Sequence, residues 1–222
     1  LRLAKDNVDL CFDAVIHKDV KATEKADERE ETIDLMNKEL GRYISKILIH
    51  DKTGNDIEAI EEYFRVIGNI ERIGDHAINV MYVAKELHDK KQMFSEEAMK
   101  EIEVLSEATF ELLDMTAEAF EKNNLELAIM VEPLEQTIDK LVYEMKRNHI
   151  LRLQADECTI KLGFAFNDLL TSYERAADHC SNIAIAVVEA AKGTYEPHEY
   201  LKNVKYDNKE DFEKLYRQYR NR

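Results

Sequence analysis

One string occurs twice in this chain, and it limits the folds open to everything around it. Ile70-Glu71-Arg72-Ile73-Gly74-Asp75-His76-Ala77-Ile78-Asn79 and Tyr173-Glu174-Arg175-Ala176-Ala177-Asp178-His179-Cys180-Ser181-Asn182 both read Glu-Arg-x-x-Asp-His-x-x-Asn. Residues four apart on a helix lie one above the other, so each copy aims two carboxylates from one face. From Val66 to Ala84 the only Asp, Glu, Lys or Arg are Glu71, Arg72 and Asp75, in a chain that is 35% charged. A carboxylate pair in apolar surroundings is costly without a compensating cation, so the pattern raises the question of which cation that is.

The repetition extends beyond the string. Apolar residues recurring at three and four predict a short helix from about Arg2 to Lys18 and a long one from about Val20 to His50, its stripe being Ile33, Met36, Leu40, Tyr43 or Ile44, and Ile47. Lys52-Thr53-Gly54-Asn55 marks a turn, with Asn55 or Asp56 to cap a third helix from about Asp56 to His88. Its stripe Ile57, Ile60, Phe64, Ile67 reaches Glu71 next and resumes at Gly74, Ile78 and Met81, so Glu71 stands in a core register. The second half opens at Ser95, runs helically to about Lys122, breaks at Asn123-Asn124, and continues as helices from about Leu125 to Ala155 and from about Glu157 to Lys192, with Pro133 expected to bend the former. Glu30, Asp34, Glu39 and Arg42 correspond to Glu135, Asp139, Glu144 and Arg147 at one offset, as do Asp27 and Glu132. After Gly193 the chain turns polar, with a final short helix expected over Glu210 to Arg220. The reading is an all-α bundle of two tandem three-helix repeats, residues 1–92 and 93–193, followed by a polar tail, residues 194–222, that carries a short helix.

Composition narrows the partners. Two prolines and six glycines suit an almost wholly helical chain. A net charge of -15 disfavours nucleic acid and anionic membrane surfaces, and makes cations the natural ligands. Cys11, Cys158 and Cys180 are far apart and lack metal-ligand spacing, which implies reduced thiols in the cytoplasm. Uncharged apolar runs stay well short of the roughly 18 residues of a membrane span.

Glu-x-x-x-Asp alone proves little: with 46 acids among 222 residues such pairs arise roughly ten times by chance, mostly on solvated faces. Recurrence in both halves, on both long helices of each half, is what gives weight to Glu30, Asp34, Glu71, Asp75, Glu135, Asp139, Glu174 and Asp178 as metal ligands. Oxygen donors suit iron, manganese, magnesium or calcium, with zinc or nickel able to occupy such a site. None of the seven His has a Glu three positions before it, which disfavours a redox di-iron bundle. His76 and His179 stand equally open to outer-ligand, hydrogen-bonding and packing roles, and Asn79 and Asn182 share the motif face. Arg72 and Arg175 offer a metal-free alternative, a helical interaction module in which guanidinium groups compensate the acids. Met36, Met81, Phe164 and Phe166 read as core. Neither a phosphate-cradling glycine loop nor a nucleophile-base pair is present, so no catalytic constellation is expected.

At these residues the chain resembles the PhoU family. Ile70-Glu71-Arg72-Ile73-Gly74-Asp75-His76-Ala77 is similar to the family's Leu-Glu-Arg-Ile-Gly-Asp-His-Ala string, and the two repeats with acid-x-x-x-Asp on their second and third helices look like its architecture. Ser172 through Ala184, and the tail His198-Glu199-Tyr200-Leu201 through Phe212, Leu215 and Tyr216, resemble the PhoU-like region that follows the membrane part of bacterial sodium/phosphate cotransporters. The resemblance implies a regulatory or accessory domain of phosphate uptake on the cytoplasmic side of the membrane, with iron or zinc clusters, one on each repeat. Its implied partners are a membrane phosphate transporter, fused ahead of Leu1 in the cotransporter form, and a sensor kinase, with homodimer formation left open. The chain departs from the pattern at Ala177, where the first repeat has Gly74, and at Pro133, just before the helix-5 motif.

Overall fold

Six helices carry the chain through two passes of a three-helix pattern. The computed structural model describes residues 1–50 and 57–192, with Lys214 and Arg217 beyond them. They form α1 (Arg2–His17), α2 (Thr23–His50), α3 (Ile57–Asp89), α4 (Glu96–Lys122), α5 (Leu125–Gln154) and α6 (Ile160–Lys192), with no strand among the described residues. The turn expected at Lys52-Thr53-Gly54-Asn55 and its cap lie outside those residues. So does the tail, apart from Lys214 and Arg217, which are helical.

The helix ends follow from local chemistry. Ser95 Oγ accepts from the Ala98 amide at 3.2 Å, and Glu96 and Glu97 place negative charge at the positive end of α4. Asn123 closes α4 in the left-handed region at φ 48°, where asparagine is tolerated better than most residues. Its neighbour Asn124 opens α5, its Oδ1 accepting from the Glu126 and Leu127 amides at 3.1 and 3.2 Å. α2 starts at Thr23 rather than near Val20, because Thr23 Oγ1 donates to the Val20 carbonyl at 2.7 Å and holds a turn there. α6 starts at Ile160 rather than Glu157, the Thr159 hydroxyl oxygen accepting from the Leu162 amide at 3.3 Å. Pro133 sits inside α5 with no break in the helix.

α3 and α6 form the centre. They run antiparallel: Arg65 pairs with Glu189 at 3.0 Å, and Asn69 meets His179 and Asn182. α1 packs on α2, α3 and α4, while α5 packs on α4 and α6. One apolar core joins both repeats, taking in Phe12, Ile73, Met81, Leu112, Leu169 and Tyr173. Tyr173 is fully buried against Phe12, ring centroids 3.9 Å apart, and shares a 2.7 Å hydrogen bond with Ser106. The expected core stripe of α2 is only half realised. Ile33 and Ile44 are buried, whereas Met36, Leu40, Tyr43 and Ile47 lie on the solvent side. Met81 and Phe166 are core as expected, but Met36 and Phe164 are exposed, since no neighbouring helix among the described residues covers those turns of α2 and α6.

Candidate metal centre

The carboxylates of the second repeat converge between α5 and α6. Glu135 and Asp139 stand one turn apart on α5, and Asp178 faces them from α6. One oxygen or more from each lies within 4.8 Å of the others. Helical spacing supplies the pair and helix packing supplies the third member. Glu132 and Glu135 are each 5% exposed, far below the usual exposure of glutamate. Glu132 is held by the Ser181 hydroxyl, which donates to Oε2 at 2.6 Å, and the Gln136 amide donates to Glu135 Oε2 at 2.9 Å. Asp139 Oδ1 is buried and has no hydrogen-bond donor. An acceptor left unmatched among like charges is the arrangement a cation relieves.

Protonation states follow from that crowding. Burial, then the charges of Glu132 and Asp139, push Glu135 up to about 8. Asp139 is raised by burial and by Asp178 and Glu174. Asp178 is raised by burial against the opposing pull of Arg175.

Glu174, the remaining expected ligand of this repeat, is held elsewhere: the Lys146 ammonium donates to its Oε2 at 2.8 Å. Arg175 reaches Asp178 at 3.3 Å, so guanidinium compensation is realised here by direct contact. Arg72, its counterpart, forms no such pair among the described residues.

In the first repeat Glu30 and Asp34 on α2 face Glu71 and Asp75 on α3, but more loosely. Burial raises all of Glu30, Glu71 and Asp75, with Asp75 acting on Glu30 and Asp34 acting on both Glu71 and Asp75. Asp34 is taken by Lys38 on its own helix. Among the described residues, only the second repeat gathers three ligand atoms that closely.

The histidines belong to the seam between repeats. His76 stacks on His179, and His179 Nδ1 contacts Asn69 Oδ1 at 2.8 Å while the Asn182 amide donates to the same oxygen at 3.3 Å. Packing and hydrogen bonding, among the roles left open by the sequence, are what they perform. Glu132, Ser181, Gln136 and Lys146 were not among the expected site residues. The correspondence of Asp27 with Glu132 was the available signal for the first of them.

The PhoU domain model matches residues 1–84 and again residues 102–187, one match on each set of three helices. The chain belongs to the PhoU family. A phosphate-specific transport system accessory protein PhoU homolog from Aquifex aeolicus is 24% identical over 202 residues, which is 90% of either chain. The homolog from Pseudomonas aeruginosa is 24% identical over 193 residues, covering 86% of this chain and 79% of the relative. The crystal structure of PhoU from Pseudomonas aeruginosa superposes with a TM-score of 0.80 at 23% identity, over 86% of this chain and 91% of that one. PhoU from Streptococcus pneumoniae, described as a phosphate transport system regulatory protein, gives 0.75 at 18%, over 88% and 91%. These likenesses establish the PhoU fold and its two repeats here.

Proposed function

We propose that this chain is a regulatory accessory protein of phosphate transport, that its carboxylate clusters bind cations, and that it acts by contact with a membrane phosphate transporter. The PhoU domain spanning both halves carries the transport reading, and the relatives named as accessory proteins support it. The domain division at residues 1–92, 93–193 and 194–222, a sodium/phosphate cotransporter as the transporter, a sensor kinase as second partner, and residence at the cytoplasmic face of the membrane form part of this proposal. No helix among the described residues is long and apolar enough to cross a membrane.

The cation part rests on the second repeat. Glu135, Asp139 and Asp178 present oxygen donors within 4.8 Å, and the orphaned Asp139 Oδ1 is the atom that most needs a positive partner. These residues fit a hard or borderline divalent ion, iron or zinc being the pair the family resemblance implies. Such an ion would be held jointly by α5 and α6 and would fix their packing, presenting a defined surface to the transporter. Glu30, Asp34, Glu71 and Asp75 would form the second, looser site, and Glu174 would join only after release from Lys146.

Elemental analysis of the purified chain tests the cation part. Bound metal that is lost in Glu135→Gln/Asp139→Asn/Asp178→Asn, together with altered phosphate uptake by cells carrying that variant, is the expected result. Unchanged metal content would reject the site, and normal uptake in cells lacking the protein would reject the transport reading. The ion pairs Arg175–Asp178 and Lys146–Glu174 favour one competing reading, the metal-free helical module. A chelator that leaves the melting temperature unchanged would select that module.

A further inference from the structure

We propose that the cavity between the ends of α1 and α3 and the start of α4 binds a free medium-chain fatty acid, its alkyl chain inside and its carboxylate at two lysines of the mouth. The cavity measures about 240 Å³ and is lined by eleven residues, all between Ala14 and Met99. Val15, Leu87 and Phe94 are buried residues of its wall, and Phe94 packs edge-on against Phe166, ring centroids 5.4 Å apart at 73°. Side chains locked by such packing keep an apolar site open rather than collapsing into it. The carboxylates of the candidate metal centre, on α5 and α6, take no part in the lining.

Charge at the mouth is opposite to that of the chain. The net charge is -15, yet none of the eleven lining residues is Asp or Glu, while Lys18, His88 and Lys91 all line the cavity and are exposed. Lys18 closes α1 at φ 56° and Lys91 follows α3 at φ 51°. At the latter end the Lys91 amide donates to the His88 carbonyl at 3.0 Å and the Gln92 amide to the Leu87 carbonyl at 2.8 Å. Two helix carboxy-termini meeting at one cavity would repel an anion through their dipoles, and the two ammonium groups reverse that sign. Neither lysine has a carboxylate partner among the described residues: the Lys18 ammonium donates to the Met93 thioether, a weak acceptor, at 3.3 Å. The acids closest in sequence are engaged, Asp89 lying 3.4 Å from His88 and Glu86 pairing with Lys90.

Size and charge together select the occupant. At about 30 Å³ for each water-sized group, the cavity takes an alkyl chain of roughly eight carbons. A two-chain phospholipid is far too large for it. A compact anion such as inorganic phosphate would meet the lysines and leave the apolar wall wet, and an uncharged hydrocarbon would draw nothing from the lysines. An alkyl carboxylate satisfies both parts of the site, its chain removing apolar surface from water while its head stands at Lys18 and Lys91.

The probe is octanoate, titrated into the full chain by calorimetry. Saturable binding of one octanoate per chain is expected. It should weaken tenfold or more both in Lys18→Gln/Lys91→Gln, which keeps much of each aliphatic stem, and in Met99→Trp, which fills the cavity, with the melting temperatures of both variants retained. Octan-1-ol is expected to bind the unaltered chain at least tenfold more weakly than octanoate and to ignore the lysine change. No saturable binding of octanoate overturns the proposal, and so does binding that survives either variant. Equal affinity for octan-1-ol would make the cavity an unselective apolar gap and overturns it too. Flotation with phosphatidylglycerol vesicles that Lys18→Gln/Lys91→Gln abolishes gives the lysines to a bilayer and overturns the proposal as well.

Discussion

The imidazole of His76 lies on that of His179, ring centroids 5.4 Å apart and planes 16° from parallel, so the two repeats touch at equivalent residues. Burial, then the charge of the other ring, lowers His179 to about 4, and burial lowers His76 as well. The unfolded chain therefore binds more protons than the folded one between about pH 4 and 6.5, and this pair's stability is lost as pH falls through that window. His179→Gln should lose less of its melting temperature on acidification than the unaltered chain does. A His179 ring that titrates near 6.5 by NMR would contradict the stack.

Glu135 gives the opposite sign. Its folded-state value near 8 lies above the unfolded 4.5, so the cation-free fold keeps a proton that the unfolded chain releases between those values. Stability from this group is present below about 4.5 and is lost as pH rises towards 8, by several kcal/mol at about 1.4 kcal/mol per pKa unit. Glu135→Gln should flatten the fall in chelator-treated protein, and added divalent ion should release protons at pH 7. Equal pH slopes for the two proteins would show that Glu135 is not the group responsible.

The looser first cluster should bind more weakly than the second. Titration calorimetry on Asp34→Asn/Asp75→Asn should retain the tighter binding event, and on Asp139→Asn/Asp178→Asn should lose it. The reverse order would mean that Lys38, now on Asp34, gives way to an ion more readily than the geometry indicates.

Arg152 is 8% exposed and spends its charge on Glu101 of α4 at 2.8 Å. Glu101→Ala strands that charge, at a cost of about 3 kcal/mol, whereas changing both partners to Met is expected to cost much less. Denaturant midpoints of the three variants read the difference, and equal losses would place the effect in packing alone.

Tyr173→Phe leaves the Ser106 hydroxyl buried without its 2.7 Å partner, at about 1–3 kcal/mol. Adding Ser106→Ala should recover part of that loss. A double variant less stable than Tyr173→Phe would show that Ser106 finds another partner.

Much of this architecture was legible in the residues because its punctuation is chemical. Ser95 and the pair Asn123-Asn124 mark helix ends by what their side chains do to free amides and to left-handed backbone, and both marks stand. The acids of α5 and α6 were legible through repetition. Which quartet draws tighter was not, because Glu30/Asp34 and Glu135/Asp139 share one spacing and differ only in what packs around them. The exposure of Met36, Leu40, Tyr43 and Ile47 on α2 was hidden for a similar reason. These residues have the periodicity of buried ones, and periodicity reports a face without reporting whether anything lies on it. Phe164 misled in the same way near the start of α6.

Asn123 finishes one rod and Asn124 begins the next, so the elbow between α4 and α5 contains no spare residue. Any length change there must be taken up inside a rod, and one residue of slippage swings α5 by about 100°. Glu135 and Asp139 would then point past Asp178 into a different neighbourhood. The two asparagines act as the rotational set-screw of the acidic cluster, several turns before it begins.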